Sequence, residues 1–173
     1  AADAFARFVA ARLEKIATGT LVHPTIKQGY ASALKERSHH PAVKTLFMSQ
    51  AKGAHPDSEA PAALLCAMGK DLLLHPEIGE EIFGPAAVLV VCENEAEMSA
   101  LAESLTGQLT GTVHGTDADL ASHRSLFSIL EQKVGRLIVN GLLVSVPLSA
   151  SPLPVLMLCE LTKPFPTAPT LPW

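Results

Sequence analysis

Hydrophobic residues in the first part of the chain recur at the spacing of an α-helix. Between residues 3 and 17 the apolar side chains form one stripe, away from most of the charged ones: Phe5, Phe8, Val9, Leu13 and Ile16. This pattern predicts an amphipathic helix that ends at Gly19, because glycine commonly closes helices. A second helix is predicted from His23-Pro24-Thr25 to about Arg37, since proline suits the first turn of a helix. The segment Ser38-His39-His40-Pro41 ends it, because the residue before a proline avoids helical geometry.

The middle of the chain alternates between strand-like and helix-like segments. Residues 43–48 predict a strand, whereas the apolar run 60–68 fits either a strand or a helix. The Val-rich run Ala86–Cys92 is short and uninterrupted, as expected of a strand that is buried on both faces. A helix is predicted after it, with Asn94 as its N-cap and the acidic Glu95 and Glu97 near its positive end.

The same alternation continues to residue 140. Residues 109–114 predict a strand, residues 117–133 an amphipathic helix, and residues 135–139 a further buried strand. Strands that alternate with helices favour parallel pairing with the helices packed on both faces. The sequence therefore predicts an α/β fold built on an open parallel sheet with helices on both faces.

The composition changes abruptly after Gly141. Residues 142–173 contain only two charged residues, Glu160 and Lys163, and many prolines. The uncharged part approaches the length of a membrane span, but its prolines would remove helical hydrogen bonds. We therefore predict no membrane segment and divide the chain into a folded part, residues 1–141, and an irregular Pro/Leu-rich tail, residues 142–173.

Composition and charge limit the number of domains, the class of partner and the cellular compartment that we expect. The chain of 173 residues fits one domain, and its 17% charged and 48% hydrophobic residues, with mean hydropathy +0.28, make it unusually apolar. A large buried sheet would account for this, but we favour a piece of a larger protein whose exposed faces pack on absent parts. A net charge of −4 and a pI near 6.0 give no sign of a nucleic-acid partner. Three widely spaced cysteines suit a reducing cytoplasm, where we expect the protein to reside.

One short motif carries the strongest chemical signal. Glu81 and Phe83 lie two positions apart, just before the turn Gly84-Pro85 and the buried run Ala86–Cys92. In an extended chain this spacing puts both side chains on the same side. We expect them at the carboxyl edge of the parallel sheet, where α/β proteins bind ligands. The alternative is that Glu81 is a solvated loop acid and Phe83 a core ring.

Other reactive residues give weaker signals. Cys66 and Cys92 lie within apolar runs, so we interpret them as small buried hydrophobic residues rather than nucleophiles. The pair His39-His40 could belong to a metal site, but no third ligand lies at a helpful spacing. We therefore interpret it as part of a surface turn and predict no metal site.

The sequence Glu81-Ile82-Phe83-Gly84-Pro85 before a buried strand resembles the NAD(P)-dependent aldehyde dehydrogenases. The likeness extends in order over residues 2–34, residues 61–91, Gln108-Leu-Thr-Gly-Thr-Val-His114 and Lys133-Val-Gly-Arg-Leu-Ile-Val-Asn140-Gly141. These segments look like parts of that family's catalytic domain, and the last two look most like the branch that oxidises 2-oxoglutarate semialdehyde (2,5-dioxopentanoate) and fatty aldehydes. The resemblance implies that residues 60–68 form a strand rather than a helix. The tail from Leu142 is unlike the family.

The resemblance also implies a chemistry. In the family a cysteine thiolate attacks the aldehyde, hydride passes to the nicotinamide, and water cleaves the thioester with help from a glutamate. We expect that cysteine, that glutamate and the nucleotide-binding domain to precede Ala1, so we predict no catalytic residue in this chain. Glu81 matches the glutamate that accepts hydrogen bonds from the nicotinamide ribose of NAD or NADP, and Phe83 matches the ring beside that ribose. Asn140 falls at the family's substrate rim.

Two functions follow from these observations. The first is an oxidoreductase fragment that acts on a small aldehyde in the intact enzyme and is inactive alone. The second is a non-catalytic α/β remnant that binds a partner or self-associates through uncovered apolar surface. Both leave formation of a homo-oligomer open.

Overall fold

The computed structural model describes residues 2–21, 23–51, 55 and 57–141, together with the backbone of residues 156–159. The helices are α1 Ala2–Leu13, α2 Pro24–Ser38, α3 Gly69–Leu74, α4 Glu95–Ser104, α5 Asp117–Ser122 and α6 Arg124–Lys133, with a 3-10 turn at Pro76–Gly79. The strands are β1 Gly19–Thr20, β2 Lys44–Met48, β3 Glu59–Ala60, β4 Ala63–Met68, β5 Ala86–Cys92, β6 Gln108–Val113, β7 Val134–Val139 and β8 Leu156–Cys159.

The largest sheet is built around two buried parallel strands. Its strand order is β2-β4-β5-β8, and β5 pairs in parallel with β4 on one side and β8 on the other. The predicted parallel sheet is therefore confirmed, and the strand predicted for residues 60–68 is confirmed over Ala63–Met68. The edge strand β2 instead runs antiparallel to β4. No helix lies between β2 and β4 in the described residues, and a parallel connection needs a long crossover that is usually helical.

Side chains of β4 and β5 alternate between two apolar layers, as the pleat of a strand requires. On one face, Leu64 and Leu89 pack against Ala6 of α1. On the other face lies a larger core that includes residues of α2, α3, α4 and the 3-10 turn: Tyr30, Leu34, Leu65, Leu72, Ile78, Val88, Val90 and Leu101. The prediction of helices on both faces of the sheet is confirmed.

A second parallel unit joins the first through helix packing. Strands β6 and β7 pair in parallel, and Ala102 of α4 contacts Leu126 and Leu130 of α6 in a small separate core. The single helix predicted for residues 117–133 is wrong in one respect, because the helix breaks at His123 into α5 and α6. The His123 ring lies 3.0 Å from Glu95 of α4 at this break, measured from Nδ1 to Oε1.

The first helix is shorter than its apolar stripe predicts. It ends at Leu13 rather than near Gly19, because Gly19 and Thr20 extend to pair with β3. Ile16 therefore lies beyond the helix and is exposed. Phe8 is 57% exposed, with the guanidinium of Arg12 above its ring at 4.8 Å from the centroid.

The tail contributes one strand. Residues 156–159 form β8, so the prediction of an irregular tail is wrong for these four residues. The rest of that prediction lies outside the described residues. No helix in the part of the chain that the structure describes combines the length and apolarity needed to cross a membrane.

The predicted N-cap of α4 is confirmed and gives a stability test. The Asn94 Oδ1 atom accepts a hydrogen bond from the Glu97 backbone N–H at 2.9 Å. We expect Asn94→Ala to lower the free energy of unfolding by about 1 kcal/mol, because that N–H loses its acceptor. Urea denaturation measures the change, and Asn94→Asp, which keeps an acceptor, is the control. Equal stability of the parent chain and Asn94→Ala would contradict this cap.

Candidate functional site

Glu81 and Phe83 lie on the surface of the segment that precedes β5. Both side chains are exposed, whereas Ile82 between them is buried. Phe83 is 63% exposed, so the alternative that it is a core ring is wrong. The expectation that the two side chains point the same way stays a prediction.

The motif ends beside the first residues of two parallel strands. Strand β5 begins at Ala86, after the motif, and Pro85 O accepts a hydrogen bond from the backbone N–H of Ala63, the first residue of β4, at 2.9 Å. Pro85 therefore lies at the amino ends of β4 and β5. The expected position of Glu81 and Phe83 at the carboxyl edge of the sheet stays a prediction.

A buried tyrosine supports the turn after the motif. Gly84 has a φ of +155°, and a Cβ atom there would lie 2.2 Å from a carbon of the Tyr30 ring. Tyr30 is 2% exposed, and its hydroxyl donates a hydrogen bond to Pro61 O at 2.7 Å. Burial raises the pKa of Tyr30, so it stays a neutral donor. The glycine is therefore required both by its backbone angle and by the ring beside it.

An arginine from α2 holds the segment just before the motif. The Arg37 Nη1 atom donates to Ile78 O and, at 3.1 Å, to Glu80 O, the carbonyl next to Glu81. Burial lowers the pKa of Arg37, and the nearby Glu80 carboxylate opposes that change. The guanidinium stays charged at neutral pH. Arg37 reads in the sequence as one more charged residue near a helix end, so no local signal could have found this contact.

Asn140 directly follows β7, and its amide makes structural hydrogen bonds. Asn140 Oδ1 accepts a hydrogen bond from Gly115 N–H at 3.0 Å, and Asn140 Nδ2 donates to Gly115 O at 2.9 Å. Its own backbone N–H donates to Val113 O at 2.9 Å. These bonds tie the end of β7 to the loop after β6. The residue has a φ of 49°, a conformation that asparagine tolerates better than most residues.

The two cysteines whose side chains are described lack the features of a nucleophile. Cys92 is buried, and Cys66 is partly buried against the α1 side of the sheet. Burial raises the pKa of the Cys66 thiol, which disfavours the reactive thiolate. Their interpretation as small hydrophobic residues agrees with this environment. The side chain of Cys159 is outside the described residues.

Sequence comparison finds relatives among semialdehyde dehydrogenases. Over 139 residues, 80% of this chain, it is 32% identical to alpha-ketoglutaric semialdehyde dehydrogenase 2 of Azospirillum brasilense. It is 31% identical over 156 residues to alpha-ketoglutaric semialdehyde dehydrogenase of Acinetobacter baylyi. The chain spans 26% and 28% of the lengths of these relatives. No family model matches the chain.

Solved structures agree on the fold. An aldehyde dehydrogenase variant from Bacillus cereus superposes with a TM-score of 0.65 at 14% identity, covering 83% of this chain and 30% of that one. A NAD-dependent benzaldehyde dehydrogenase from Corynebacterium glutamicum gives a TM-score of 0.59 at 17% identity, with 81% of this chain and 30% of that one covered.

Replacement of Gly84 tests the support beneath the motif. We expect Gly84→Ala to lower the free energy of unfolding by about 2–4 kcal/mol, because the methyl group meets the Tyr30 ring and the backbone angle becomes strained. Urea denaturation measures the loss. The control is Gly29→Ala in α2, where a Cβ meets nothing within 4 Å. That variant should gain about 0.5–1 kcal/mol from helix propensity, and similar behaviour of the two variants would contradict the contact.

Two substitutions of Asn140 separate its side-chain bonds from its backbone angle. We expect Asn140→Ala to cost about 2 kcal/mol and Asn140→Gly about 1 kcal/mol, because glycine loses the bonds but tolerates the positive φ. Hydrogen exchange at the Gly115 amide should be faster in both variants than in the parent chain. Unchanged exchange at Gly115 would rule out the clamp.

Proposed function

Because this chain belongs to the aldehyde dehydrogenase family, we propose that it forms part of the catalytic domain of an NAD(P)-dependent oxidoreductase that converts an aldehyde into a carboxylic acid. The observation that carries the proposal is the exposed pair Glu81 and Phe83, which is held on a buried scaffold. The family assignment alone gives the reaction class. The pair gives this chain a defined part in it.

The substrate we propose is the semialdehyde of a 2-oxo dicarboxylic acid. The two curated relatives are named for alpha-ketoglutaric semialdehyde, and the segments that end at His114 and Gly141 resemble that branch. The chain spans about a quarter of the length of those relatives. We therefore assign recognition of the far carboxylate of the substrate to parts of the proposed longer enzyme outside this chain.

The residues near the motif fit the nicotinamide half of the cofactor. An ionised carboxylate such as Glu81 only accepts hydrogen bonds and can receive two neighbouring ribose hydroxyls. The exposed Phe83 ring offers an apolar surface beside that sugar. Bound NAD or NADP would accept a hydride from the substrate. In our proposal Glu81 and Phe83 orient the sugar, and Arg37 and Tyr30 keep their backbone in place.

We assign the nucleophile and the general base to other parts of the enzyme. Cys66 and Cys92 lie in the sheet rather than beside the motif, and burial raises the pKa of the Cys66 thiol. Asn140 is also left out of the proposed site, because its amide holds Gly115. The chain alone should therefore produce no reduced cofactor, whereas the longer cytoplasmic enzyme should.

The competing function is a non-catalytic module that associates through apolar surface. One observation favours it: several large apolar side chains are exposed, among them Leu74 at 75% and Leu109 at 61%. Such side chains also fit a domain that packs on other parts of the same enzyme. Activity separates the two functions.

The direct test is turnover by the full-length enzyme that carries this chain, with NAD and NADP and a panel of aldehydes. We expect reduced nicotinamide to form fastest with alpha-ketoglutaric semialdehyde. Absence of turnover with every aldehyde would overturn the proposal and leave the non-catalytic module. Preference for a different aldehyde would overturn only the substrate.

Substitution of Glu81 tests its role in cofactor binding. In the full-length enzyme we expect Glu81→Gln to raise the KM for NAD(P) by about tenfold, because the neutral amide keeps one weaker acceptor oxygen and replaces the other with a donor. Glu80→Gln is the matched control, since Glu80 is a neighbouring exposed acid whose backbone carbonyl, rather than its carboxylate, accepts the bond from Arg37. Equal KM values for the two variants would remove Glu81 from the proposed site.

A further inference from the structure

Three potential metal ligands from two separate parts of the chain meet beside the end of α2. They are His40, His75 and Glu77, and their ligand atoms all lie within 4.8 Å of one another. The Glu77 Oε1 atom lies 3.2 Å from His75 Nδ1 and 3.7 Å from His40 Nε2. The sequence indicated only the pair His39-His40 and no third ligand, because His75 and Glu77 are remote in the chain.

The distances suit a tetrahedral metal ion. Zn²⁺ binds imidazole nitrogen and carboxylate oxygen at about 2.0–2.2 Å, so neighbouring ligand atoms stand roughly 3.3–3.5 Å apart. The ligand atoms lie within 4.8 Å of one another, so the two imidazoles must approach each other by up to about 1.5 Å. Two imidazoles and one carboxylate leave a fourth position for water, as in other three-ligand zinc sites.

The backbone on both sides of the cluster is hydrogen-bonded. The Val43 N–H donates to His40 O at 2.9 Å, and the Ile78 N–H donates to His75 O at 3.0 Å. The two rings already stack edge to face, with centroids 4.9 Å apart. Ordered ligand segments lower the entropic cost of assembling a metal site.

The charge of the cluster also favours a cation. Glu77 is exposed and supplies a carboxylate, which is a common ligand for divalent cations. One contact opposes binding: His40 Nδ1 accepts a hydrogen bond from Ala42 N–H at 3.2 Å. Coordination through Nε2 would move the ring proton to Nδ1 and break this bond, so we expect micromolar rather than tighter affinity.

We infer that His40, His75 and Glu77 form a binding site for Zn²⁺ or a similar divalent transition metal. The ion would join the end of α2 to the 3-10 turn that leads into Glu81 and Phe83. The site stands independently of the proposed dehydrogenase activity, because it rests on these three side chains alone.

Calorimetric titration of the full chain with Zn²⁺ tests the site. The parent chain should bind one ion with micromolar affinity, and His75→Ala and Glu77→Gln should each weaken binding by at least about tenfold. His39→Ala is the matched control, because His39 is the exposed neighbour that caps α2 and lies outside the cluster. It should bind as the parent chain does. Millimolar binding, or equal affinity of His75→Ala and the parent chain, would overturn the site.

A second readout guards against misfolded variants. His75 and Glu77 are exposed, so circular dichroism should show that both variants fold. A hundredfold excess of Zn²⁺ over Kd should raise the Tm of the parent chain and of His39→Ala by about 5 °C, and that of His75→Ala much less. An equal rise in all three would mean that the ion binds elsewhere, which would also overturn the inference.

Discussion

The parallel pairing of β4 and β5, buried on both faces, is the constraint on which the rest of the structure depends. Its register sets Ala63 opposite Ala86, and each strand then sends alternate side chains into two separate apolar layers. Burial of apolar surface contributes roughly 25 cal/mol per Å², so covering both faces of such a ladder strongly favours the packed arrangement. Helix α1 covers one face, and α2, α3 and α4 cover the other. Without this pairing, the sheet would not fix the position at which the segment before Ala86 ends.

That segment carries the two exposed side chains of our proposed cofactor site, Glu81 and Phe83. The Pro85 carbonyl accepts a hydrogen bond from the Ala63 N–H at the start of the paired strands. Tyr30 fills the space that a side chain at position 84 would need. Arg37 donates to the carbonyls of Ile78 and Glu80, before the motif. All three contacts fall on backbone or on a residue without a side chain. Glu81 and Phe83 therefore remain exposed while their backbone is held. The cofactor binding that we propose needs a rigid backbone and exposed side chains. Tyr30 and Arg37 of α2 supply much of that rigidity.

The family relationship and the geometry support each other at different levels. Identity near 30% to named dehydrogenases over four fifths of the chain gives the family, and the solved structures share the fold at lower identity. Neither says which residues of this chain meet a cofactor. In our proposal the exposed acid and ring meet the cofactor, and among the described cysteines Cys66 and Cys92 have the buried or partly buried environments of small hydrophobic residues. The cluster of His40, His75 and Glu77 is a separate feature, which lies beside the end of α2.

Local patterns in the sequence determined the elements that depend on neighbouring residues. The Val-rich run identified a strand buried on both faces, and Asn94 identified a helix start. Only the tertiary structure decided the antiparallel direction of β2, the position of Pro85 beside Ala63, the contact of Arg37 with Glu80 O, and the meeting of His40 with His75 and Glu77. The reason is physical. Periodicity and capping act within one or two turns of chain, whereas strand direction and contacts between remote residues are selected by how the whole core closes and packs.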